Sequence, residues 1–391
     1  MYLKRSGENP ILVPTSETEW ESYATFNGCG IWDRKQFHFL YRAMSGERNH
    51  RGKTLRISSI GYAKSTDGIH FENRRPLIIP ENDWEIFGCE DPRVTELDGR
   101  YYVFYTALSA YPFSADGIRV GVAITDDFGR IEEKHLVTPF NAKAMALFPE
   151  RVGGKIAALL TAHTDQPPAK ICVAFFDDPA QLWRQDRWQA WHQALDEQAL
   201  PLLRAREDQV ELGAPPLKTK VGWLIVYSYI KNYRTPVPQF TIEAALLDRD
   251  NPRKVIGRST GPLLTPEESY EQYGIVPNVV FPSGAVIKKN NLTVYYGACD
   301  TPSCIAEGDV AELLKELEDS PAPASSPQGI VARHEANPII SPVLEHDWEA
   351  KATFNAGAIY TGEKTHLLYR AMSEDNTSVL GYASSSDGFH I

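Results

Sequence analysis

One strand pattern returns through this chain at intervals of about 55 to 70 residues. A short turn is followed by a run of β-branched and aromatic residues that ends on small or polar ones. The copies are KQFHFLYRAMS (35–45), RYYVFYTALS (100–109), KIAALLTAHT (155–164), GWLIVYSYIK (222–231) and NLTVYYGACD (291–300). A further strand follows most copies, as in RISSIGYAKSTDG (56–68), IRVGVAITDDFG (118–129) and FTIEAALLD (240–248). Asp98-Gly99, between two such runs, is a hairpin signal, because both central residues of that turn need positive φ. Regular spacing of units about four strands in size predicts an all-β fold, a β-propeller, and five copies predict five blades. A β-sandwich is equally strand-rich but does not predict the period.

A second, longer repeat overlies the first. WEAKATFNAGAIYTGEKTHLLYRAMS (348–373) aligns without a gap on WESYATFNGCGIWDRKQFHFLYRAMS (20–45), and LGYASSSDGFH (380–390) matches IGYAKSTDGIH (60–70). The expected organisation is therefore a propeller over 1–320, a linker over 321–335 containing PAPASSP, and over 336–391 a C-terminal partial repeat of the first blade. Three arrangements of this repeat stay open: the truncated head of a second propeller, an accessory blade, or exchange with the first blade of a neighbouring molecule, which would make a homo-oligomer. Helical spacing of apolar residues is confined to 305–318, IAEGDVAELLKELE, and to a stretch near 177–200.

Charge and composition narrow the function. The net charge of −11 argues against a nucleic-acid partner, whose binding runs on clustered Lys and Arg. No apolar run approaches membrane-spanning length, and MYLKRSGENPILVP has no apolar signal core. The five cysteines are scattered without CxxC spacing, so neither a zinc site nor a disulfide framework is expected, and the setting reads as reducing and cytoplasmic. The histidines show no metal spacing, and nucleotide and nucleophilic-serine fingerprints are missing, so no metal and no cofactor is expected.

What remains is a set of acids and arginines near strand ends, where a propeller would bring them to one pocket. Asn27 and Arg42 belong to the first unit, Glu90-Asp91-Pro92-Arg93 opens the second, Glu150 follows it, Glu211 and Glu243 lie in the fourth, and Asp300 ends the fifth. Glu243 interrupts an apolar strand, so it needs a partner or a raised pKa. The Arg of YRAM recurs at Arg370, which also fits a structural role through bidentate pairing. Carboxylates without metal or nucleophile signals suit acid–base work on an acetal. An inverting glycosidase needs one acid for the leaving oxygen and one base for water, ~6.5–9.5 Å apart.

The motifs GCEDPRV (88–94), ALFPERVGGK (146–155), GAPPLKTKVGWLIVYS (213–228), AALLDRDNPRKVIGRS (244–259) and YGIVPNVVFPSGAVI (273–287) resemble those of glycoside hydrolase family 130. The likeness runs in order over about residues 8–305 and restarts at 336. It implies a five-bladed propeller acting on β-mannosides with inversion, as a phosphorylase or as a β-1,2-mannosidase. It implies Asp91 as general acid and Asn27, Arg42, Arg93 and Asp300 as mannose contacts, with Glu90, Glu150 and Tyr227 completing the expected substrate-binding set. Phosphorylases of the family carry an Arg within the stretch corresponding to 159–165 and a His near Tyr227, whereas this chain has carboxylates at Glu211 and Glu243. The resulting expectation is a hydrolase, a β-1,2-mannosidase-like glycosidase in which Glu211 and Glu243 polarise water. The alternatives are a phosphorylase, drawing phosphate cations from His163, Lys170, Lys218 or Arg234, and a non-catalytic sugar-binding propeller.

Overall fold

A computed structural model describes residues 3–164, 166–205, 207–320 and 337–391. The chain divides into two compact units, Met1–Pro327 and Gln328–Ile391. The linker expected at 321–335 lies outside the described residues.

The first unit is mostly β, built as successive antiparallel meanders. Ala24–Trp32, Phe37–Met44, Ser58–Ser65 and Glu72–Ile78 form the first. Gly88–Leu97, Arg100–Leu108, Ile118–Thr125 and Glu133–Leu136 form the second. These two share one eight-stranded sheet through a single parallel contact, Ser58 to Gly88. Ala142–Leu147, Ile156–Ala162 and Lys170–Phe176 follow as a three-stranded sheet. The fourth meander runs Gln209–Leu212, Trp223–Lys231, Gln239–Leu247, Val255–Arg258. Val280–Lys288, Asn291–Ala298 and Ser303–Asp309 make the last, and the N-terminal strand Lys4–Arg5 adds to its edge. The hairpin foreseen at Asp98-Gly99 forms, with φ of 53° and 81°. Alternating residues of these strands fill the apolar seams between neighbouring sheets, as period-two side chains must.

A buried acid anchors three of the meanders in the same way. Glu21 accepts from Tyr41 Oη at 2.7 Å and from Arg74 Nη2 at 2.7 Å. Glu85 accepts from Tyr105 Oη at 2.5 Å and pairs with Lys134. Glu271 accepts from Tyr296 Oη at 2.8 Å and from Arg5 Nε at 2.8 Å. All three carboxylates are buried, and each has the cation and hydroxyl that burial of a charge demands.

Helices are few. The one expected over 305–318 begins later, at Val310–Asp319, with Asp309 capping the amides of Ala311 and Glu312. Residues 305–309 instead pair as strand with Asn291–Tyr295, because their alternate side chains complete the last sheet. Gln185–Gln193 and Leu195–Gln198 occupy the second expected helical stretch and bury Trp188 against Phe140 and Phe176.

The second unit repeats the first meander. Ala352–Tyr360, Thr365–Met372 and Ser378–Ser385 form a three-stranded sheet in the corresponding register.

Candidate active site

The first strands of the first, second and third meanders each slip register once against their neighbours. The slips fall between Phe26 and Cys29, Glu90 and Arg93, and Lys143 and Ala146. Within them Asn27, Asp91 and Ala144 have φ of 50°, 51° and 52°. Such a bulge sets two residues against one and re-aims a side chain out of the period-two alternation. Two of the re-aimed side chains, Asn27 and Asp91, line one cavity of about 220 Å³ with Arg42, Lys143, Glu211 and Asp300. Tyr233, Phe240 and Phe281 form its aromatic wall, with Val276 and Val279 beside them. A lining that combines carboxylates and cations with aromatic rings suits a sugar, which has hydroxyls at its rim and C–H groups on its face.

Asp91 is held on several sides. Asn27 Nδ2 donates to its Oδ1 at 2.8 Å, and Arg42 Nη1 stands 3.6 Å from the same oxygen. Burial alone would push its carboxyl up, but Arg42, Arg93 and Asn27 outweigh that and hold it below the usual carboxylate range. Glu90 lies behind. Its Oε1 is 2.5 Å from Arg42 Nη2 and accepts from Ser58 Oγ at 3.0 Å. Burial, reinforced by Asp91, raises Glu90 in spite of Arg42. Asp300, at φ 53°, is pushed up to about 6 by burial, Arg42 opposing and Asp91 adding. Three close carboxyl groups thus differ in their hold on protons. Among the described residues the buried Asn27 amide oxygen has no hydrogen-bond partner. Gly297 permits that placement, since a Cβ there would stand 2.1 Å from it.

Arg93 departs from its expected role as a mannose contact. Its guanidinium, buried, donates to the carbonyls of Asp91 at 2.7 Å, Leu212 at 3.1 Å and Gly213 at 2.9 Å. It ties the strand of Asp91 to the strand of Glu211 and is no part of the cavity wall.

The expected pair Glu211 and Glu243 is parted by strand geometry. Glu211 lies opposite Ser228, which lies opposite Ile242, whereas Glu243 lies opposite Tyr227. Ser228 and Tyr227 are adjacent, so the two glutamates project from opposite faces of one sheet. Glu211 lines the cavity, with Lys143 Nζ 3.4 Å from its Oε2. Glu243 is fully buried. Its oxygens accept from Arg204 Nη1 at 2.8 Å, Arg204 Nη2 at 2.7 Å and Tyr227 Oη at 3.1 Å. A carboxylate bound in this way is a structural partner of Arg204 and is poorly placed to be a base. Tyr227, expected at the substrate, is buried with it. Glu150, also expected there, is a surface group whose Oε2 accepts from Lys218 Nζ at 2.5 Å.

The cations considered for phosphate are engaged elsewhere. Lys218 holds Glu150, Lys170 pairs with Asp196, His163 Nε2 lies 3.0 Å from His192 Nε2, and Arg234 reaches the Pro167 carbonyl. Besides Arg42, the cavity wall carries the cation Lys143, which sequence reasoning passed over. Its only signal was its place just upstream of the ALFPERVGGK motif.

The family model for glycoside hydrolase family 130, described as beta-1,4-mannooligosaccharide phosphorylase, matches residues 3–319. The chain belongs to glycoside hydrolase family 130. Within the family it is 36% identical over 306 residues to a 1,2-beta-oligomannan phosphorylase of Thermoanaerobacter sp. (strain X514), covering 76% of this chain and 94% of that one. A beta-1,2-mannobiose phosphorylase of the same organism is 33% identical over 305 residues, with the same coverage. Among solved family-130 structures, the beta-1,2-mannobiose phosphorylase of Listeria innocua superposes with a TM-score of 0.67 at 25% identity, over 82% of this chain and 100% of that one. Such proteins act on β-mannosides, and the cavity of this family-130 chain has the polar and aromatic walls such a substrate needs.

Proposed function

We propose that this chain is an inverting phosphorylase of β-1,2-linked manno-oligosaccharides, working on a five-bladed propeller whose last blade is closed by Lys4–Arg5. The observation that carries the reading is the likeness at 36% identity, over 94% of its length, to a 1,2-beta-oligomannan phosphorylase. The expectation of hydrolysis rested on missing phosphate cations and on two glutamates acting together, and of these Glu243 projects from the sheet face opposite Glu211 and is bound by Arg204.

In this reading a mannose ring lies against the aromatic wall, with Asn27, Arg42 and Asp300 at its hydroxyls. A phosphate oxygen attacks C1 from the side opposite the leaving sugar. The C1–O bond breaks, its electron pair goes to the leaving oxygen, and a proton originating at Asp91 neutralises that oxygen. Inversion of a β-mannoside yields α-mannose 1-phosphate and a shorter oligomannoside. Lys143 is the cation of the wall suited to the phosphate. Arg42, Arg93 and Asn27 hold the Asp91 carboxyl low, and a phosphate beside it would act in the opposite sense, because added negative charge favours the acid form of a nearby carboxyl.

Hydrolysis is the second reading, favoured by Glu211 itself, a carboxylate in the wall that could take a proton from water. Incubation with β-1,2-mannobiose with and without phosphate separates the two. Phosphorolysis gives mannose 1-phosphate only when phosphate is present, and free mannose released without phosphate would overturn it. Glu211→Gln sharpens the comparison. Under phosphorolysis it removes a charge that repels phosphate and lowers the phosphate KM a few-fold, for on the order of 1 kcal/mol of repulsion. Under hydrolysis it abolishes turnover.

A further inference from the structure

Two loops rise from the strand ends that carry the acid side of the cavity. The first leaves Met44, two residues past Arg42, and returns at Ser58, which lies opposite Gly88 and donates to Glu90. Within it Arg48–His50 and Lys53–Leu55 pair as a small hairpin. The second loop, over 109–117, joins Arg100–Leu108 to Ile118–Thr125, and it starts where Leu108 lies opposite Gly88. Asp91 is three residues past Gly88. Both loops therefore stand on the end of the first two meanders at which Arg42 and Asp91 enter the cavity.

Where the loops meet they carry a series of rings. His50 Nε2 donates to the Ile86 carbonyl at 2.8 Å, and its ring meets Phe87 edge-on, with centroids 6.0 Å apart. Phe87 is followed by Tyr111 at 6.2 Å, and Tyr111 by Phe113 at 5.2 Å, again edge-on. Lys53 Nζ stands 5.4 Å from the Tyr111 centroid. Phe87 and Tyr111 are half-buried, and Phe113 is 51% exposed. Phe87 is four residues from Asp91, roughly 13 Å along an extended strand. Leu55 and Ile57 of the first loop are buried. The two loops thus show solvent these rings among Arg48, Arg51, Lys53, Ser114 and Asp116, all exposed. Rings set among polar groups match a chain of sugars, whose C–H faces stack on aromatic rings and whose hydroxyls need donors and acceptors.

The direction of the reaction selects this rim over the others, an argument that rests on the inverting reading above. A general acid stands beside the oxygen that leaves, and the nucleophile attacks C1 from the opposite side. In that reading Lys143 and Glu211, from the third and fourth meanders, stand on the nucleophile's side. The released chain departs past Asp91, over the second meander. We propose that Phe87, Tyr111 and Phe113 form a platform for the outer sugars of that chain. The cavity takes the terminal mannose, and the platform holds the oligomannoside beyond the bond that breaks. Binding energy gathered there favours longer chains over the disaccharide.

The test compares kcat/KM for β-1,2-linked mannopentaose and for β-1,2-mannobiose, with and without phosphate. The expected wild-type ratio, pentaose over mannobiose, is above one. Phe113→Ala lowers this ratio about three- to tenfold, the size of one lost ring contact. Phe113→Tyr keeps the ring and keeps the ratio. A structural role alone would lower both constants alike. Tyr111→Ala is a second variant with the same expected direction. Tyr273, 77% exposed on the segment that leads to Val276 in the cavity wall, tests the opposite rim, and Tyr273→Ala should leave the ratio as it is. A wild-type ratio of one or less overturns the platform, as does a ratio indifferent to both Phe113→Ala and Tyr111→Ala, or one that falls with Tyr273→Ala instead. These results leave the reading of the cavity in place. Turnover without phosphate overturns phosphorolysis alone, because the released chain departs past Asp91 with either nucleophile. Turnover of neither sugar overturns the reading and the platform together.

Discussion

At the scale of single residues, a bulge decides what Asp91 can do. In a regular strand Glu90 and Asp91 would point to opposite faces. The slip between Glu90 and Arg93 turns Asp91 into the cavity, and Glu90 supports Arg42 beside it. Asp91→Asn keeps the acceptor for Asn27 but cannot supply a proton, so turnover of β-1,2-mannobiose should fall about 10²–10⁴-fold with folding intact, as steady-state assay and circular dichroism would show. A sugar-binding protein without catalysis would show no such loss. Asp300 gives a pH signature. Its pKa is raised from 3.8 to about 6, so the folded chain holds this proton more tightly than the unfolded one. The stability it contributes is full below the unfolded pKa and is lost as pH rises through about 6. Compared with Asp300→Asn, the wild-type chain should lose on the order of 3 kcal/mol between pH ~4 and ~7. Urea denaturation of both proteins across that range checks the sign, and a difference that does not change with pH would refute it.

At the scale of elements, the meanders are held by buried acid clamps in addition to their apolar seams. Glu85 is fully buried, whereas its partner Lys134 comes from the outer strand of the same meander. Lys134→Met leaves a buried carboxylate without its cation and should cost about 3–5 kcal/mol. Arg100 bridges exposed Asp126 and Glu133, and Arg100→Met should cost less than about 1 kcal/mol. Chemical denaturation of the two variants gives the comparison, and equal losses would show that the clamp is unimportant. The same recurrence explains part of what was readable in advance. Glu21 and Tyr41, Glu85 and Tyr105, and Glu349 and Tyr369 each stand twenty residues apart, so the clamp recurs with the strand pattern. The shortened helix has an equally local cause. Of residues 305–309 only Ile305 and Ala306 are apolar, too few to set a helical period, and pairing with the strand Asn291–Ala298 selects strand.

At the scale of the whole molecule, the ends of the first unit are joined far apart in sequence. Lys4 and Arg5 pair with Glu307 and Ala306, and Arg5 grips Glu271 through two nitrogens at 2.8 Å each. Arg5→Met should therefore lower unit stability by about 3 kcal/mol, the low end for a buried pair, because Arg5 is partly exposed. Lys4→Ala, one residue away and exposed, should stay within about 0.5 kcal/mol. Thermal unfolding of the pair measures the difference, and similar melting temperatures would show that closure does not depend on this contact.

The sequence by itself determined the β character, the order of the strands, the duplication and the family, because those are carried by local periodicity and contiguous motifs. It also pointed to Asn27, Arg42, Asp91, Glu211 and Asp300, which do meet in one cavity. Only the tertiary structure decided which other charges belong with them. Lys143 enters because folding sets it 3.4 Å from Glu211 in the same wall, Arg93 leaves because three carbonyls from two segments surround it, and Glu243 leaves because a strand reverses face at each residue. The direction of a side chain depends on parity summed across paired strands. That sum is set by hydrogen-bond register between segments tens to hundreds of residues apart, and no local pattern records it.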